Sequence, residues 1–380
     1  MDTYLKILGD GQVWDVKGIS PLAPGRTFED LFSGRALAQM AAEEKGLFFR
    51  FRERGKLTGR SVTKAFLSNN PKAKKRAQAL LENLARNGAF GISALAKGKG
   101  IKKGWSARQR GYWKNLDAVI IGGGVSRGKT GRILVNLLKE YLSREGLAAL
   151  KVYQARFPGK EAGFLGAVIN IIRVSRNYAE AKRAKATGCI GLDLGREEIG
   201  VGLLAVNPKS GRVLKQKQGY WFFSASMRMP YKRHLKKFLD TRKNYTAVER
   251  QLGRKIRAAI LGSLAGLVLK AQSAAGRLGI ACSRNIGVAV PGSVSSGGYI
   301  LNSTDYLPFF RKQDGFNFAK GLEKALAESV KKGIKIRLIN DGIAAGIANI
   351  YFSKKAAGKV AFLGVGSGLG GCVALARRVR

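Results

Sequence analysis

The stretch Leu338–Gly371, LINDGIAAGIANIYFSKKAAGKVAFLGVGSGLGG, decides how the rest of the chain is read. It opens on an apolar run ending at Asn340-Asp341, continues as a small-residue helix over about 343–352, and returns as an apolar strand over 360–363. The turn Gly364-Val365-Gly366-Ser367-Gly368 follows that strand. A carboxylate thus ends one strand and a glycine turn ends the next. Glycines in such a turn let backbone N–H groups converge on a phosphate. A carboxylate nearby takes the proton from an attacking hydroxyl. Together they point to phosphoryl transfer. Each half also has a plainer reading, since a strand-end Asp often caps a helix and a G-x-G-x-G-G run often makes a tight hairpin.

Outward from that stretch, strands alternate with helices, which predicts the α/β class. In the first half, YLKIL and QVWDV read as short strands and Phe28–Glu44 as one helix. A further helix begins near Val62, and a basic amphipathic one covers Pro71–Asn87. A glycine- and lysine-rich loop spans 97–115. The buried strand Leu116–Ile121 then runs into Gly122-Gly123-Gly124 and a helix over 131–144. Gly163–Arg173 is an apolar helix, and 174–187 reads as a linker. Beyond it come strands at Cys189–Leu194, Ile199–Val206 and Arg212–Gln218, then a long helix over Arg254–Leu278. The strand Asn285–Val290 ends in Pro291-Gly292, and a helix over Phe318–Lys331 leads back to the opening stretch.

At 380 residues the chain holds two medium domains with a real core. The single histidine, His234, argues against a His-based metal site or catalytic triad. Three scattered cysteines have no metal spacing and fit a reducing compartment. No run reads as long enough to span a bilayer, and MDTYLKILGDG lacks a signal-peptide pattern, so a cytoplasmic protein without a membrane partner is expected. The net charge of +45 has two readings: a nucleic-acid partner, or a general basic bias spread over solvated faces. Residues 97–114 carry no acid and interleave Trp105, Tyr112 and Trp113 with cations, a composition that can bind phosphates and stack on bases. A second basic cluster covers 228–257.

Four segments resemble the ROK family of sugar kinases and related repressors, which have the two-lobed actin-like ATPase (ribonuclease H-like) fold with a cleft between the lobes. CIGLDLGREEIGVGLLAV (189–206) resembles the family's first phosphate hairpin. GVAVPGSVSSGGYILNSTDYLPFF resembles its sugar-side strand and loop. LINDGIAAGIANI and FLGVGSGLGG resemble its catalytic Asp segment and second phosphate turn. LDAVIIGGGVSRG and GFLGAVINII resemble the end of the family's chain, yet they precede the rest here. The order therefore looks circularly permuted. Residues 1–173 resemble the family's carboxyl-terminal half and 188–340 its amino-terminal lobe. Residues 341–380, with the Asp segment and second turn, join 1–173 in the larger lobe, and 174–187 links the former termini.

The resemblance implies roles for individual residues. Asp341 is the general base, and Asn340, Asp305, Asn302 and Gly292 belong to the sugar side. Gly366, Ser367 and Gly368 face nucleotide phosphates, Gly122, Gly123 and Gly124 lie by the adenosine, and Asp193 organises Mg²⁺ through water. ATP and Mg²⁺ are the implied cofactors and a hexose or amino sugar the partner, while the choice between monomer and homodimer stays open. Two departures weigh on this. The family's D-x-G-G-T-[KN] turn is Asp193-Leu194-Gly195-Arg196-Glu197-Glu198, closer to the family's repressors. Its E-x-G-H sugar and zinc motif falls near Gln12-Val13-Trp14-Asp15, which has neither the Glu nor the His and leaves Gln12 and Asp15 as the sugar-side candidates there; the family's cysteine zinc cluster is also absent, so no structural zinc is expected. Three functions stay open: an ATP-dependent, glucokinase-like sugar kinase, a catalytically silent sugar-sensing regulator, and a nucleic-acid-associated protein using the basic segments.

Overall fold

The computed structural model describes residues 2–10, 16–17, 25–44, 46–53, 55–99, 105–157, 159–174, 186–195, 198–207, 213–214, 222–231, 245–302, 307–327, 333–366 and 368–379. The chain has the expected α/β class and divides into two compact units, one of residues 1–159 with 346–380 and one of residues 160–345.

The first unit is built on five strands: β1 (Asp2–Asp10), β2 (Ala118–Gly122), β3 (Lys151–Gln154), β11 (Gly358–Val365) and β12 (Leu369–Val379). Their order across the sheet is β1-β12-β11-β2-β3. β1, β12 and β11 pair antiparallel, whereas β11, β2 and β3 run parallel. Asp2 lies opposite Val379 and Asp10 opposite Cys372, so the two ends of the chain are neighbouring strands. Helices α1 (Phe28–Leu31), α2 (Gly34–Ala42), α3 (Gly59–Phe66), α4 (Pro71–Ala96), α5 (Ala107–Trp113) and α6 (Gly128–Arg144) complete the unit. Val119, Ile121, Ala361 and Leu363 alternate along their strands and meet Leu81, Leu84 and Leu138 in one core.

Two expectations are corrected here. The stretch 28–44 is two helices, because the Ser33 side chain accepts the Ala36 N–H and starts a new helix only two residues beyond the end of α1. Trp105 and Trp113 are 8% and 2% exposed and belong to the core cluster, so neither forms a stacking platform on the surface. The expected strand QVWDV lies mostly outside the described residues.

The second unit uses β4 (Thr187–Leu194), β5 (Glu198–Val206), β6 (Phe223–Arg228), β7 (Ala281–Val290) and β10 (Lys335–Asn340), in the order β10-β7-β4-β5-β6. β4, β5 and β6 pair antiparallel; β4, β7 and β10 run parallel. The third antiparallel strand is therefore 223–228. Of the expected strand at Arg212–Gln218, only Val213 and Leu214 are described, and Val213 makes an isolated bridge to Val206. A short hairpin of β8 (Ser293–Val294) and β9 (Ile300–Asn302) follows β7. Helix α7 (Gly159–Val174) covers one face of the sheet. Gly191 and Gly287 make room for it there, since a Cβ at either would collide with a backbone carbonyl of α7. The other face holds Ile190, Leu192, Val288 and Val290 against helices α8 (Ala247–Arg277) and α9 (Phe318–Ala327). α8 is, contrary to the sequence reading, long and apolar enough to cross a membrane. Its Ile256, Ile260, Leu264, Val268 and Ala275 are buried in this core. Helix α10 (Asp341–Tyr351) leaves β10 directly, and the division between the units falls within it.

Candidate functional site

In the second unit, three parallel strands end at one edge of the sheet. The register sets Asp193 opposite Ala289, Ala289 opposite Ile339, and Val290 opposite Asn340. Asp193 thus sits two strands from the residue preceding Asn340-Asp341, a separation of roughly 10 Å at ordinary strand spacing. Ligands of open α/β sheets bind outside the carboxyl ends of the strands.

Asp341 is the first residue of α10, and the cap of that helix is Asn340. The Asn340 Oδ1 accepts the Ile343 N–H at 3.0 Å. Its Nδ2 donates to the Gly292 carbonyl at 3.0 Å and to Asp341 Oδ1 at 3.1 Å. Asp341 Oδ1 also accepts the Gly342 N–H at 2.7 Å. Capping therefore falls to Asn340, and the bonds from Asn340 and Gly342 to Asp341 both end on Oδ1. Burial pushes its carboxyl from 3.8 up to about 6, and the bonds from the Gly342 amide, its own amide and the Asn340 side chain oppose the shift without cancelling it. A carboxylate in that range is ionised at neutral pH yet basic enough to take a proton.

Gly292 has φ +87°, a left-handed turn directly after β7. Asn302 is exposed, and its Oδ1 accepts the Ser293 N–H at 2.8 Å. It fastens the turn whose preceding carbonyl holds Asn340. Asp193 is 7% exposed at the end of β4, on the sheet face that α7 covers. A Cβ on Gly163 of that helix would collide with the Asp193 carboxylate, so the close fit depends on glycine. The Gly195 N–H donates to the Glu198 carbonyl at 3.1 Å and closes the β4–β5 turn. Arg196, Asp305, Gln12, Asp15 and Ser367 lie outside the described residues.

The first unit brings its two glycine segments together. Gly364 of β11 is in parallel register with Gly122 of β2. The Val125 N–H donates to the Val365 carbonyl at 3.2 Å, and Gly123, at φ +87°, lies so close to Val365 that a Cβ would collide with its backbone. Gly366 is held by backbone both near and distant in the chain. The Gly366 N–H donates to the carbonyls of Gly364 (3.1 Å) and Gly368 (2.9 Å), while the Gly366 carbonyl accepts the Gly34 N–H at 2.6 Å. The Gly366 amide is therefore already engaged and does not face outward to a phosphate. Glu29 is a residue that sequence reasoning missed. Its Oε2 accepts the Leu369 N–H at 3.4 Å, and it pairs with Arg35 at 3.5 Å. No local signal marks Glu29, because its partner lies 340 positions away.

No family model matches the sequence, and no curated protein matches it. Similar backbones occur among solved sugar kinases. An inorganic polyphosphate/ATP-glucomannokinase from Arthrobacter sp. strain KM is 19% identical over 49% of this chain and 57% of its own, with TM-score 0.30. A ROK family glucokinase from Streptomyces griseus, solved with glucose and AMPPNP, is 19% identical over 51% and 47%, with TM-score 0.30. A ROK hexokinase from Thermus thermophilus is 20% identical over 51% and 49%, with TM-score 0.32. The chain spans about half the length of these structures. At such TM-scores the likeness is one of partial backbone, and the roles of individual residues rest on the geometry above.

Proposed function

We propose that this chain is a ROK-like sugar kinase that transfers the γ-phosphoryl group of ATP to a hydroxyl of a hexose or amino sugar. The observation that carries the proposal is Asp341. It stands at the carboxyl end of a parallel strand, uses one oxygen to hold its place, and is made more basic by burial. In the proposed reaction the sugar hydroxyl donates its proton to Asp341 as the oxygen attacks phosphorus. Asn340, fixed by Gly292 and Ile343, sets the carboxylate's orientation. Asp193 is a single buried carboxylate at the same sheet edge. That suits Mg²⁺, which keeps much of its water and needs few protein ligands. When bound, Mg²⁺ would neutralise phosphate charge.

Support for the fold assignment comes from topology. Taken in the sheet order β6-β5-β4-β7-β10, the second unit has three antiparallel strands followed by two parallel ones. The first unit repeats that pattern as β1-β12-β11-β2-β3, with its third antiparallel strand first in the chain. Two copies of one sheet pattern fit an actin-like ATPase, and the displaced strand fits a circular permutation. We place the enzyme in the cytoplasm.

One observation favours the silent sugar-sensing reading. Glu29 puts a carboxylate against Gly368 and Leu369, where a phosphate would meet repulsion. Sugar-dependent ADP formation, measured over a panel of hexoses and amino sugars, separates the two. The kinase reading expects turnover by the wild type and a loss of about 10²–10⁴ in Asp341→Asn, with sugar binding retained. Sugar binding without turnover, by ATP or another phosphoryl donor, overturns it in favour of the sensor.

A further inference from the structure

We infer that helix α7 is a positioning element for the candidate site. Gly163 and Gly166, on one of its faces, hold the Asp193 carboxylate and the helix turn that bears Asp341 at a fixed separation. The two glycines are three residues apart, which puts them on the same side of the helix about 4.5 Å apart along its axis. A Cβ on Gly163 would collide with the Asp193 carboxylate, and one on Gly166 would collide with the backbone of Ala344. Ala344 lies three residues after Asp341 in α10, on the same side of that helix, and it is fully buried. One face of α7 therefore touches Asp193 directly and also touches the turn that carries Asp341.

α7 is itself seated on the strands that carry the site. Its Phe164 carbonyl rests on Gly191 of β4 and its Ala167 carbonyl on Gly287 of β7, at the positions a Cβ would occupy. β4 carries Asp193, and β7 leads to Gly292, whose carbonyl holds Asn340. Both strands and the first turn of α10 are thus gauged against one helix. Other tight glycines of this unit differ. Gly253 and Gly321 meet the rings of Phe309 and Phe316, side chains that can turn aside. At Gly166 the neighbour is helix backbone, and at Gly163 it is a carboxylate of the site. The inference rests on the kinase reading only for the use made of the two carboxylates. A misplacement of about 1 Å between reacting groups can cost on the order of 10² in rate.

Carboxyl ¹³C NMR of the aspartate-labelled full chain, with Asp341 assigned by its loss in Asp341→Asn, tests the inference. The wild-type Asp341 carboxyl should titrate near about 6, because it is buried. Gly166→Ala pushes α10 off α7 and should bring that midpoint down toward the ordinary 3.8. Gly163→Ala puts its methyl against Asp193 rather than α10, and it should lower the midpoint in the same direction by lifting α7; it carries the test if Gly166→Ala does not fold. Asp193→Asn removes the charge with α7 left in place and should move the midpoint less than Gly163→Ala does. Ile260→Val deletes a methyl from the opposite face of the sheet and should leave it unmoved. An Asp341 midpoint unmoved in Gly163→Ala, or moved as far by Asp193→Asn or Ile260→Val, would overturn the positioning role, as would a wild-type midpoint at the ordinary value. With sugar as substrate, both glycine variants should lower kcat by about tenfold or more and change KM less than about threefold. A lowered midpoint in the glycine variants of a protein with no wild-type turnover would sink the kinase reading alone. Turnover with an unmoved midpoint would sink the positioning role alone.

Discussion

Asp341→Asn should stabilise the protein at alkaline pH while lowering the proposed kinase activity by about 10²–10⁴. The Asp341 carboxyl is raised from 3.8 to about 6, so the folded state binds its proton more tightly than the unfolded chain does. The contribution of that proton is fully present below about pH 4 and is lost as pH rises through about 6. Above that range the ionised group costs roughly 3 kcal/mol, a ceiling because the side chain is partly open to solvent. Asparagine keeps an oxygen for the Gly342 N–H and removes the charge. The variant should therefore match the wild type near pH 4 and exceed it by about 1–3 kcal/mol at pH 8. For a unit of this size that is roughly 2–10 °C in Tm. Thermal and urea unfolding of both proteins across pH 4–8.5 measures the gap. A gap that does not change with pH, or a variant less stable at pH 8, would refute burial as the source of the shift. In the same series the wild type's kcat/KM for sugar should rise with pH through about 6, as the base ionises.

Gly163→Ala should destabilise the second unit by about 1–3 kcal/mol, because the added methyl meets the Asp193 carboxylate; an unmoved urea midpoint would contradict that packing. Trp113→Ala should cost about 3–5 kcal/mol as a core deletion, read by urea unfolding. Any nucleic-acid affinity of the chain should fall steeply with salt and should not depend on Trp113; tight, salt-insensitive, sequence-selective binding would restore the nucleic-acid reading. Joining the chain ends through a short loop and reopening the chain at 174–187 should give a folded protein, since β1 and β12 are already antiparallel neighbours. Insoluble or unfolded product would count against the permutation.

Much was legible in the sequence because it is set locally. The α/β alternation follows from apolar period and length, and the strands at 118–122, 187–194 and 281–290 lie close to where apolar runs predict them. Asn340-Asp341 at a strand end and the glycines after the next strand are contiguous patterns, and the structure keeps both. The tertiary structure alone decided which residues meet. Whether Trp113 stacks on a base or fills a core depends on what packs over it, and the core cluster it joins includes Ala361 and Leu138, far away in the chain. Only the helix register made Asn340 the cap and put Asp341 in the first turn beside it. Burial by distant chain, which no local pattern encodes, raised the Asp341 carboxyl. Glu29 reached the glycine turn across 340 residues, and Gly166 met Ala344 only once α7 was packed. Sequence patterns specify backbone conformation and which face is apolar; contacts between distant segments, and the desolvation they impose, exist only after the chain has closed on itself.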